Sequence, residues 1–140
     1  MKSVIVDSDA LIALLNKDDL LADKAVKTLE GLYRQDTRLF YPATTLAETT
    51  TVLQRKLSNA ALTKDIVKMI KDSQFPVIAV DQEILELAES LFNPNGSKQN
   101  TLFDAIVAVI AKRQKADAVF SFDAWYEKIG LTLAFNILEN

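Results

Sequence analysis

Val4-Ile5-Val6-Asp7-Ser8-Asp9-Ala10-Leu11-Ile12 is the stretch on which the fold turns. Its first three residues are β-branched and continuous, the pattern of a strand covered on both faces of a parallel sheet. Asp7, Ser8 and Asp9 are helix-start residues, and the apolar run 10–15 follows them directly. A strand therefore passes into a helix with an acid at the junction. Working outward, the same alternation recurs. Arg38-Leu39-Phe40-Tyr41 reads as a second strand stopped by Pro42, Val77-Ile78-Ala79-Val80 as a third, and Ala118-Val119-Phe120-Ser121-Phe122 as a fourth. Leu131-Thr132-Leu133-Ala134-Phe135, after Gly130, reads as an edge strand. Apolar residues at helical spacing mark helices over about 21–33, from Thr44 or Thr45 to about Leu57, around 62–70, around 84–92, and from Thr101 to about Lys115. Strands alternating with helices predict an α/β fold, a three-layer α/β/α sandwich with a central, mostly parallel sheet of four to five strands.

The 140 residues, 49% hydrophobic and 25% charged, suit one globular domain over 1–140 with a core that needs no staples. No repeat or low-complexity tract interrupts them, and Asn93-Pro94-Asn95-Gly96-Ser97-Lys98-Gln99-Asn100 is the one clear long polar loop. Cysteine is absent, which excludes disulfides and thiolate metal sites. Histidine is absent too, which excludes histidine-based triads and the commonest general base. Catalysis must then rest on carboxylates, hydroxyls, lysine or a metal. The net charge of −3 does not describe a generally basic nucleic-acid binder, although a bound cation adds local positive charge outside that count. The apolar run before Asp7 is too short for a signal peptide, and no stretch approaches the roughly 18 apolar residues of a membrane helix. A cytoplasmic protein without a membrane partner is expected.

Four acids, Asp7, Glu48, Asp104 and Asp123, fall at strand ends or helix starts. In an open α/β sheet these slots gather at one edge, where ligands bind. Each has a structural reading as well. Thr45-Leu46-Ala47-Glu48 and Thr101-Leu102-Phe103-Asp104 match capping boxes, and Asp7, Asp9 and Asp123 suit caps or Asx turns. Arg55, at helical spacing from Glu48, offers it an ordinary ion pair. The helical neighbours of Asp104 point the other way. Val107, Ala108 and Ala111 share its face, so it points into packing, and a buried charge needs a partner. Two carboxylates about 4 Å apart repel by about 4 kcal/mol at an effective dielectric near 20. Four converging acids would therefore have to hold protons or a cation. Oxygen-only donors select hard ions, which makes Mg²⁺ or Mn²⁺ the expected cofactor and phosphodiester hydrolysis the expected chemistry. Spacing alone does not establish that the four converge.

The chain resembles the PIN-domain proteins, in particular the stand-alone toxins of VapBC toxin–antitoxin pairs. Four segments carry the likeness in order: 4–12, Pro42-Ala43-Thr44-Thr45-Leu46-Ala47-Glu48, Leu102-Phe103-Asp104-Ala105-Ile106-Val107-Ala108, and Ala116-Asp117-Ala118-Val119-Phe120-Ser121-Phe122-Asp123 followed by Ile129-Gly130-Leu131. The resemblance implies a metal-dependent endoribonuclease whose metal and catalytic site is Asp7, Glu48, Asp104 and Asp123. It also implies an RNA substrate, a cognate antitoxin that occludes the active site, and a homodimer. Asp9 departs from the family pattern, which has a small hydroxyl or amide residue there. It either adds a fifth carboxylate or caps the helix. Ser121, where the family often has Ser or Thr, would orient a water or a phosphate.

Lys98, in the loop before Asp104, is the best candidate for substrate contact among basic residues that otherwise read as solvated surface. Trp125 and Tyr126 read as core or dimer packing, or as a stacking platform for an unpaired base. Leu11, Leu14, Leu15, Leu20 and Leu21 suit core packing or a groove for a partner helix. Two other functions compete. Asp7-Ser8-Asp9 also resembles the nucleophile motif of haloacid-dehalogenase-type phosphatases, with Asp7 as nucleophile, although Leu11 replaces the hydroxyl expected there. The third reading is a non-catalytic PIN-like module that binds RNA or protein, against which stand the four filled acidic positions.

Overall fold

The computed structural model describes residues 1–97 and 99–138. Among them, β1 (Ser3–Val6), β2 (Arg38–Pro42), β3 (Val77–Ile78) and β4 (Ala118–Phe120) form a parallel sheet in the order β3-β2-β1-β4. β1 is central, and Val4, Ile5 and Val6 are all fully buried. Strand side chains alternate between faces, and the alternation here divides two cores. Val4, Val6, Leu39, Tyr41, Ala118 and Phe120 face one apolar cluster, whereas Ile5 and Val119 face the other with Phe40 packed beside them. On the first face lie α1 (Ser8–Leu15), α2 (Ala22–Arg34), α3 (Ala43–Arg55) and α4 (Ala60–Lys71), which contribute Leu11, Leu32, Leu53 and Ile66. On the second lie α5 (Gln82–Glu89), α6 (Leu102–Arg113) and α7 (Trp125–Lys128), which contribute Ile84, Ile106 and Tyr126. This is the three-layer α/β/α arrangement expected from the sequence.

Helix α6 is buried without a break from Asp104 to Ala111 and touches α3, α5, β1 and β4. A helix apolar all round belongs inside. Strand order sets the position of the site. From β1 the chain adds β2 and β3 on one side, and β4 then joins the other side of β1. The direction reverses between β1 and β4, and in such sheets ligands bind beyond the strand carboxyl ends at that switch point.

Several local expectations are corrected. The segment 131–135 is not an edge strand. It makes one parallel bridge, Val119 to Leu133, and then turns into a 3₁₀ helix over Ala134–Leu138. Gly130, at φ +89°, takes the left-handed turn that brings the chain back for that bridge. β3 spans Val77–Ile78 alone, and β4 ends at Phe120. The Thr45–Glu48 capping box does not form, because α3 starts at Ala43 directly after Pro42. Thr45 lies inside the helix, its hydroxyl donating to the Val6 carbonyl at 3.0 Å. Among the described residues no helix is long and apolar enough to cross a membrane.

An acidic candidate active site at the carboxyl edge of the sheet

Asp7 immediately follows β1, and its N–H donates to the Phe120 carbonyl at 3.0 Å, which joins the ends of β1 and β4. As the N-cap of α1 it accepts from the Ser8 N–H at 2.7 Å through Oδ1. Its Oδ2 accepts from the Tyr126 hydroxyl at 2.6 Å. Asp7 is 3% exposed and Tyr126 is fully buried. Burial pushes the Asp7 carboxyl well above its ordinary value, and the charges of Asp9 and Asp104 push it further. The bonds from Tyr126 and Ser8 offset only part of this.

Asp104 sits in the first turn of α6, 9% exposed. Its Oδ2 accepts from the Thr101 N–H at 3.1 Å, the returning half of a capping box, so the structural reading of this residue holds. Yet its carboxyl is raised from 3.8 to about 6, first by burial and then, against the Thr101 bond, by the charges of Glu48, Asp123 and Asp9. A cap alone has no reason to face three other acids. Glu48, in the second turn of α3, is half-buried, and its Oε1 has no hydrogen-bond partner. Burial raises its carboxyl, the Ser8 side chain lowers it, Asp9 raises it again, and the charge of Lys56 lowers it.

Asp123 follows β4 and accepts from the Trp125 N–H through Oδ1 and from the Asn100 side-chain amide through Oδ2, both at 2.9 Å. Asp9 accepts through Oδ2 from the Ser121 hydroxyl and the Phe122 N–H, both at 2.9 Å, and through Oδ1 from the Ala10 N–H at 2.8 Å. Burial raises the Asp9 carboxyl, those three bonds lower it, and Asp123 raises it. Ser121 is fully buried and also accepts from the Asp123 N–H at 3.1 Å, so its hydroxyl is used inside the protein rather than turned toward a ligand. Asp9 thus clips the start of α1 to the loop that carries Asp123.

The fold brings Asp7, Glu48, Asp104, Asp123 and Asp9 within electrostatic reach of one another. Among the described residues none of them makes an ion pair, and Lys56 acts on Glu48 only through its charge at a distance. The one ion pair among the described residues joins Arg113 to Glu83 at 3.8 Å, so the suggested Arg55–Glu48 pair is not made. The Lys98 candidate lies outside the described residues. Among those described, no three acidic side chains are gathered tightly enough to ligate one ion together. Mg²⁺ typically takes only one or two direct carboxylates and keeps several waters. An all-oxygen set of mutually repelling acids with an unpartnered Glu48 oxygen fits such an ion.

Two contacts escape a reading of the sequence. Tyr126 is expected in packing or stacking, and its core position agrees. The signal for its second role is chemical: a buried tyrosine hydroxyl usually finds a polar partner. Asn100 reads as part of a polar loop, and nothing local points it at Asp123. Of the leucines that suit a groove, Leu11 is buried whereas Leu20 and Leu21 are exposed beside Lys24, Phe135 and Leu138.

Comparison with known proteins agrees with this fold. Residues 4–130 match the PIN domain family model. No curated protein sequence matches the chain. Among solved structures, VapC20 of Mycobacterium tuberculosis, a sarcin-ricin loop cleaving toxin, superposes with a TM-score of 0.77 at 17% identity over 92% of this chain and 96% of that one. FitAcB from Neisseria gonorrhoeae gives 0.64 at 17% identity, covering 94% and 98%. PAE2754 from Pyrobaculum aerophilum gives 0.60 at 18% identity, covering 98% and 87%. At these identities the structures speak for the fold. The family match spans most of the chain and all four acidic positions, and it displaces the dehalogenase-type reading of Asp7-Ser8-Asp9: the chain belongs to the PIN domain family.

Proposed function

We propose that this chain is a Mg²⁺- or Mn²⁺-dependent endoribonuclease, a single cytoplasmic PIN-like domain over 1–140 that serves as the toxin of a toxin–antitoxin pair. One observation carries the reading: five acids lie within electrostatic reach of one another at the β1–β4 switch point, and among the described residues none of them makes an ion pair. Such repulsion is costly in a domain whose whole stability is about 5–15 kcal/mol. It is relieved by a cation.

Asp7, Asp104, Asp123 and Glu48 are the residues to hold the ion, directly or through its waters. The ion, when bound, polarises a phosphoryl group and lowers the pKa of a water. The chain's own residues set the stage. Tyr126 and Ser8 fix the rotation of the Asp7 carboxylate. Asn100 and the Trp125 N–H fix Asp123. Asp9, through Ser121, ties the two strand ends together and is a positioning residue in this scheme. Such fixed acids keep an attacking water and a backbone phosphate in one orientation.

RNA is the favoured substrate because VapC20 is a toxin that cleaves an RNA loop and shares this fold. Its particular substrate does not transfer at 17% identity. A cognate antitoxin and a homodimer follow from the family resemblance, and the exposed Leu20 and Leu21 offer apolar area for either. The test is Mn²⁺ titration by calorimetry together with cleavage of a mixed-sequence RNA. Binding, and cleavage stopped by EDTA, are expected. RNA binding without cleavage in either Mg²⁺ or Mn²⁺ would instead favour the non-catalytic module.

A further inference from the structure

A cavity of about 230 Å³ opens between the end of α5, the loop before α6 and the first residue of α7. Its wall includes Phe92, Asn93, Ser97, Asn100, Thr101 and Trp125. It adjoins the acidic site through two bonds already described. Asn100 donates from this wall to Asp123, and the Trp125 N–H donates to the other oxygen of the same carboxylate. Thr101, also on the wall, anchors Asp104.

Among the described residues the lining carries no charged side chain. With Asp104 and Asp123 adjacent, a phosphate is disfavoured there. Two aromatic rings and four amide or hydroxyl groups suit a neutral, planar group with polar edges. Asn93 Oδ1 is engaged by the Asn95 N–H, and Asn100 Nδ2 by Asp123. Neither bond uses the Asn93 amide nitrogen or Asn100 Oδ1, which leaves a donor and an acceptor for the edge of a ligand. The volume lies below the roughly 300–1,000 Å³ of pockets for drug-sized ligands, which suits one base rather than a whole nucleotide.

We propose that this cavity receives one unpaired nucleobase of the RNA strand lying across the acidic site, with Trp125 and Phe92 as the aromatic walls and Asn93 and Asn100 reading the base edge. Proteins that read RNA sequence do so mostly on splayed-out, unpaired bases by stacking and edge hydrogen bonds. The inference rests on the ribonuclease reading and adds to it a source of base preference beside the scissile phosphate.

Trp125 is the single tryptophan and reports on its own surroundings. Wild-type protein is titrated with the four RNA homopolymer hexamers, in EDTA and again in Ca²⁺, by Trp125 fluorescence. At least one hexamer should quench it. Moving a single abasic nucleotide through that hexamer should weaken binding at one position by about tenfold, the scale of one lost base–aromatic stack. Ser97→Phe, an exposed rim residue enlarged to fill the cavity, should weaken the same hexamer comparably while leaving Mn²⁺ affinity unchanged. If Ser97→Phe fails to fold, the abasic series on wild type decides alone. Quenching by no hexamer, or affinity indifferent to the abasic position, would overturn the proposal. So would a free mononucleotide that binds as tightly as the hexamer. Cleavage without position-selective binding refutes the pocket alone. Base binding in a protein that never cleaves RNA with Mn²⁺ refutes the nuclease reading and leaves the pocket standing.

Discussion

Helices α5 and α6 lie side by side, and each opens with an acid that accepts a backbone N–H. Asp81 takes the Ile84 N–H at 3.0 Å and Asp104 takes the Thr101 N–H at 3.1 Å. They run in opposite directions, with Glu83 at the start of α5 paired to Arg113 at the end of α6. Asp81 therefore sits at the far end from the switch point, exposed, whereas Asp104 is buried at it. The local chemistry is nearly the same and the consequences are not. Water screens Asp81, while Asp104 sits among Glu48, Asp123 and Asp9. A capping motif thus neither supports nor excludes a role in chemistry. What separates the two acids is burial among like charges.

The hardest blow to that distinction would be an active Asp104→Asn. Its amide keeps an oxygen to accept from Thr101, so the cap survives while the charge is lost. Metal-dependent RNA cleavage should fall by more than the roughly 10–100-fold that changes in outer-shell partners cost. Asp7→Asn should behave alike. Initial rates at saturating Mn²⁺ measure this, with circular dichroism checking the fold. Full activity in either variant would place Asp104 with Asp81, as a cap and nothing more.

Next in size is a pH effect on the metal-free protein. The Asp104 carboxyl is raised from 3.8 to about 6, so the folded chain keeps its proton after the unfolded chain has lost it. Stability must then fall as pH rises through that window, and the deficit persists above it. The shift corresponds to a deficit on the order of 3 kcal/mol at pH 7. Asp7, Asp9 and Glu48 are raised as well and act in the same direction. In EDTA, the Tm of wild type should drop between about pH 4 and 7, and that of Asp104→Asn should drop less. Mn²⁺ should raise the wild-type Tm more at pH 7 than at pH 4. A flat wild-type profile would mean that the acids do not repel as their placement implies.

Some of this contrast is legible in the sequence itself. The β-branched run Val4-Ile5-Val6 announces a central strand, and burial on both faces follows. The small apolar neighbours of Asp104 at i+3, i+4 and i+7 announce an inward-facing acid. Periodicity of this kind is local, so local reading recovers it. What local reading cannot recover is the other end of a long contact. Thr45 looks like a cap until Val6, 39 residues away, claims its hydroxyl. Leu131-Thr132-Leu133 alternates like a strand but finds one bridge partner, Val119, before a 3₁₀ turn ends the pairing. Asp9, Ser121 and Asp123 form one network across 112 residues of separation, and only the β1–β4 pairing makes them neighbours.

Tyr126 is the sharpest case of such a long contact, 119 residues from Asp7. Tyr126→Phe keeps the buried ring and deletes only the hydroxyl. If that hydroxyl positions a metal-holding acid, Mn²⁺ affinity should weaken by about 10–100-fold, with activity recovering substantially at saturating metal. A purely structural hydroxyl would instead cost only about 0.5–1.5 kcal/mol of stability and leave affinity alone. Calorimetric titration of both proteins separates the outcomes.

The smallest effect returns to α5. Asp81→Ala removes a cap that does nothing but cap, so it should cost about 0.5–2 kcal/mol of unfolding free energy. RNA cleavage and Mn²⁺ affinity should stay at wild-type levels, since Asp81 lies at the opposite end of the helix pair. The loss should also be insensitive to Mn²⁺, because the ion relieves strain at the switch point and not at the exposed end of α5. Urea unfolding of wild type and variant, each with and without Mn²⁺, measures all of this in one series. A cleavage defect in Asp81→Ala would mean that the start of α5 is coupled to the acidic edge, and the contrast between the two helix-opening acids would dissolve.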